Sequence, residues 1–82
     1  MGEPAFPDRA LAVFGSSVHA TAEDVRSALE KAGRDDPEIA HSAECAFVRH
    51  VLTAIADGHP NPAWLAREVL VVLNADYPRW CA

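Results

Sequence analysis

Basic side chains are scarce in this chain. Seven Lys and Arg stand against twelve Asp and Glu, for a formal net charge of −5. A sequence-independent grip on nucleic acid needs clustered Lys and Arg, so direct nucleic-acid binding is excluded as an expectation. An anionic membrane surface is excluded for the same reason. Cysteine is equally sparse. Cys45 and Cys81 are the only two, one within a helical pattern and one penultimate. Two cysteines make no disulfide framework, and free thiols in a reducing compartment are the simpler reading. No apolar run approaches the roughly 20 residues of a membrane span. The opening Met1-Gly2-Glu3-Pro4 is acidic and interrupted by proline, unlike a secretory leader, so the expected compartment is the cytoplasm. No catalytic or ligand motif stands above background, and neither an enzyme nor a cofactor is expected.

What is present is a folding composition. Of 82 residues, 50% are hydrophobic and 23% charged, which places the chain among globular proteins and not disordered ones. The length predicts a single domain over residues 1–82. A domain this small buries only roughly 60% of the surface its unfolded chain exposes, so association with another chain would add to a modest stability.

Four helical pieces are predicted. The first starts near Pro7, runs through Ala10, Leu11, Val13 and Phe14, and stops at Gly15. The second has Thr21 as N-cap and Asp24 three residues on, a shortened capping box. Its narrow stripe is Ala22, Val25, Leu29 and Ala32, and Gly33 is expected to close it as a C′ residue. The third is capped by Asp36, carries Pro37 in its first turn and reaches Asp57 before Gly58. At 100° per residue, Ile39, Ala43, Ala46, Phe47, His50, Val51, Ala54 and Ile55 share a broad face, which Val48 and Leu52 extend. The fourth begins at Asn61-Pro62 and ends near Asn74. Val69 to Leu73 could pass for a buried strand, but nothing else in the chain could pair with it. The predicted fold is all-α: a small bundle of three main helices plus a short N-terminal one. Connections of a few residues favour antiparallel neighbours.

The fourth helix is the most informative segment. Between Pro62 and Leu73 it carries two charges, Arg67 and Glu68, and these are adjacent. A helix with so little polar surface is buried on nearly every side or meets another molecule. The arc Leu65, Ala66, Val69, Leu70, Val72 and Leu73 is expected to fill the core. That orientation leaves Trp64 and Val71 on the surface beside Arg67 and Glu68, the alternative being that Trp64 folds over the rim of the bundle. Aromatic anchors next to arginine are typical of interface centres. Tyr77 and Trp80 belong either to the same docking surface or to a lid over the core.

The expected function is therefore a non-enzymatic protein-interaction module, acting through an apolar helix face toward a second copy or another protein. An alternative from another class is a small acidic inhibitor, of the kind phage and mobile elements carry. Such an inhibitor would block a basic nucleic-acid-handling protein with Glu23, Asp24, Glu30, Asp35, Asp36 and Glu38, which are half of the acids. A helix-turn-helix reading of the segment around Gly33 to Asp36 fails, because the third helix opens with Asp36, Pro37 and Glu38 where phosphates would sit.

The second alternative is a metal- or thiol-dependent enzyme. His41 and Cys45 lie four apart on one helix face and could share a metal ion, but zinc sites normally pair close ligands on two segments. One such pair is visible, so no metal is assigned. A Cys45 nucleophile activated by His41 would require access, whereas a mid-helix thiol beside Ala43 and Ala46 is expected to be buried. Glu38, His41 and Glu44 follow the spacing of the carboxylate–histidine helix of di-metal bundles. Those sites draw carboxylates from further helices as well, and here the acids of the second helix fall opposite its apolar stripe. His50 is expected in the middle of the apolar face, held by a hydrogen bond or acting as a pH-sensitive packing element.

Overall fold

In the computed structural model, residues 6–14 and 21–78 are described. Four helices follow in order: α1 (Asp8–Ala12), α2 (Ala22–Asp35), α3 (Pro37–Ala56) and α4 (Pro62–Leu73). No strand occurs among the described residues. α3 is the central element, in contact with each of the other three, and α2 also packs on α4. This is the expected all-α bundle.

Local chemistry sets the boundaries. Thr21 Oγ1 accepts the Asp24 N–H at 3.2 Å, and the Asp24 carboxylate accepts the Thr21 N–H at 3.0 Å. The capping box therefore closes with Asp in place of the longer Glu. At the other end, α2 does not stop at Gly33. It continues to Asp35, and Gly33 is a buried helical residue. The next residue, Asp36, ends α2 and begins α3. Its backbone is extended, and its carboxylate accepts the Ile39 N–H at 3.2 Å. One residue thus separates two helices, and Pro37 in the first turn of α3 supplies the fixed φ that a helix start tolerates.

α3 ends in a Schellman motif. The His59 N–H donates to the Ala54 carbonyl and the Gly58 N–H to the Ile55 carbonyl. Gly58 has φ +94°, a conformation that a side chain would strain. Asn61 occupies the N-cap position of α4, but its side chain makes no capping bond. Its N–H instead donates to His59 Nδ1 at 2.9 Å.

The core is built on Phe47. It is fully buried, and the rings of Phe6 and Phe14 meet it edge-on with centroids 5.0 and 5.6 Å away. Such edge-to-face pairs contribute about 0.5–1.5 kcal/mol beyond the area they bury. Leu11 from α1, Val25 and Leu29 from α2, Val51 from α3, and Leu65 and Val72 from α4 enclose this centre. Phe6 also touches Trp64, with ring centroids 5.6 Å apart. The N-terminal segment is thereby fastened across α3 and α4.

Candidate interaction groove

The rotation of α3 and α4 about their axes decides which apolar side chains are left outside. α3 buries Ala40, Glu44, Phe47 and Val51. Compared with the face expected from its sequence, it is turned by roughly half a residue step, which carries Ile39 outward, and Leu52 on the opposite edge is exposed as well. His50 is half-buried and flanks the core. Glu44 is only 4% exposed, although charges were expected at the edge of this face.

α4 is turned further. Leu65 and Val72 are fully buried, and Trp64, Val69 and Val71 pack against the core as half-buried side chains. The expected surface pair Trp64 and Val71 therefore faces inward. Ala66, Leu70 and Leu73, expected inside, are exposed, the two leucines at 61% and 41%. Arg67 is exposed and Glu68 half-buried. The physical reason is aromatic. Trp64 gains more from covering Phe6 than a leucine would gain in the same place.

Tyr77 is buried, as a lid over the core would be. Tyr77 lies over Gly33 of α2, and the Asp76 N–H donates to the Glu30 carboxylate at 2.9 Å. Trp80 and Cys81 lie outside the described residues. Several of the acids expected to form an external face are engaged locally. Asp24 and Asp36 cap helices, Glu23 pairs with Arg26, and Glu30 ties the C-terminal turn. Asp35 and Glu38 are exposed.

The outward flank of α3 and the end of α4 form an open groove of about 700 Å³. Val48, Leu52, Ala56 and Leu73 supply its apolar lining, and His41, Glu44, Cys45, Arg49 and Thr53 its polar lining. Leu52 is 58% exposed. Cys45, expected to be buried, is a free and exposed thiol whose Sγ lies 3.7 Å from His41 Nε2. No group of three metal-binding side chains forms among the described residues.

The sequence signal that could have located this groove is the spacing of Val48, Leu52 and Ala56 at four-residue intervals. That stripe lies beside the core stripe rather than on it. Among the described residues, no helix is long and apolar enough to cross a membrane. Comparison of the chain with models of protein families, with curated proteins and with solved structures yields no match in any of the three.

Proposed function

We propose that this protein is a non-enzymatic interaction module that pairs with a second copy of itself through the α3–α4 groove. The observation that carries the reading is that the chain displays both halves of a helix-in-groove contact. The groove follows α3 from His41 to Ala56, about 22 Å of helix at 1.5 Å per residue. Beside it, Ala66, Leu70 and Leu73 stand exposed on α4 at the i, i+4, i+7 spacing of an amphipathic helix that docks into such a groove. Leu73 belongs to both features, so a two-fold pairing can satisfy groove and stripe reciprocally.

A small molecule fits less well. The leucines of the groove project into solvent, whereas ligand pockets enclose about 70–90% of their ligand.

The test is the mass of the full chain in solution, by sedimentation across micromolar to near-millimolar concentration. The reading expects a dimer that Leu52→Asp together with Leu73→Asp converts to a monomer of unchanged helix content. A wild-type chain that stays monomeric throughout would remove it. Salt separates this reading from that of an acidic inhibitor. Two chains of charge −5 repel, so salt strengthens their pairing, whereas it weakens an acidic chain bound to a basic protein.

A further inference from the structure

We draw no further inference here: the strongest candidate, the Cys45–His41 side-chain pair on the groove flank of α3, is a single thiol–imidazole contact at 3.7 Å without a third metal-binding side chain among the described residues, and nothing in the structure shows what covers it.

Discussion

Gly33 lies directly beneath Tyr77. A Cβ built on Gly33 would fall within 2.5 Å of Tyr77 Cγ and 2.7 Å of Cδ2, closer than non-bonded carbon atoms approach. The buried helical glycine is what lets the C-terminal turn rest on α2, where Glu30 then fastens it. This contact joins residues 44 positions apart in sequence, and neither helix propensity nor periodicity encodes it.

Gly33→Ala should therefore destabilise the protein, although alanine is the better helix former by about 1 kcal/mol. Overpacking of this kind costs about 1–3 kcal/mol, and the obstructing atoms are close to the Tyr77 backbone and cannot swing aside. In a Tyr77→Gly background the obstructing atoms are gone and the same substitution should become stabilising. A double-mutant cycle by chemical denaturation checks the change of sign. A stabilising Gly33→Ala in the wild-type background would contradict this packing.

Gly58→Ala should destabilise for a different reason. A Cβ there meets nothing within 4 Å, so sterics from neighbours are absent, but the backbone sits at φ +94°. The expected loss is about 1–2 kcal/mol, or roughly 5–10 °C in thermal midpoint. Replacing Tyr77 should leave this loss unchanged, in contrast to the loss at Gly33.

Asp36→Ala removes the acceptor for the Ile39 N–H at the start of α3. The cost should be about 1 kcal/mol, and Asp36→Asn should recover most of it, because asparagine caps as well as aspartate. Comparison of the three denaturation midpoints tests this. Equal loss in both variants would mean that the charge, and not the cap, matters at this position.

Trp64→Ala and Leu70→Asp should separate stability from association. Trp64 covers Phe6 and packs on the core, so its truncation should lower stability by about 2 kcal/mol, below the ~3–5 typical of a fully enclosed aromatic. Leu70 is exposed on α4, so Leu70→Asp should leave stability within about 0.5 kcal/mol of wild type and weaken self-pairing. Thermal scans and sedimentation on the same samples provide the comparison. Loss of pairing without loss of stability in Trp64→Ala would return the contact surface to Trp64.

The sequence by itself determined the helices and their punctuation. Thr21 with Asp24, Asp36 with Pro37, and Gly58 are local devices whose chemistry acts within a few residues, and each is found where its spacing indicated. Helix rotation was legible on α2, where polar residues bound a narrow stripe at Ala22, Val25 and Leu29. It was not legible on α4, which is apolar almost all round, so that several rotations bury similar amounts of surface. Only the tertiary structure decided among them. Phe6 draws Trp64 inward, and Leu70 and Leu73 are left outside as a consequence. The same holds on α3, where burial of Ala40 and Glu44 carries Ile39 to the surface. Short-range hydrogen bonds are written into adjacent residues, whereas the facing of an apolar helix depends on partners that only the assembled bundle supplies.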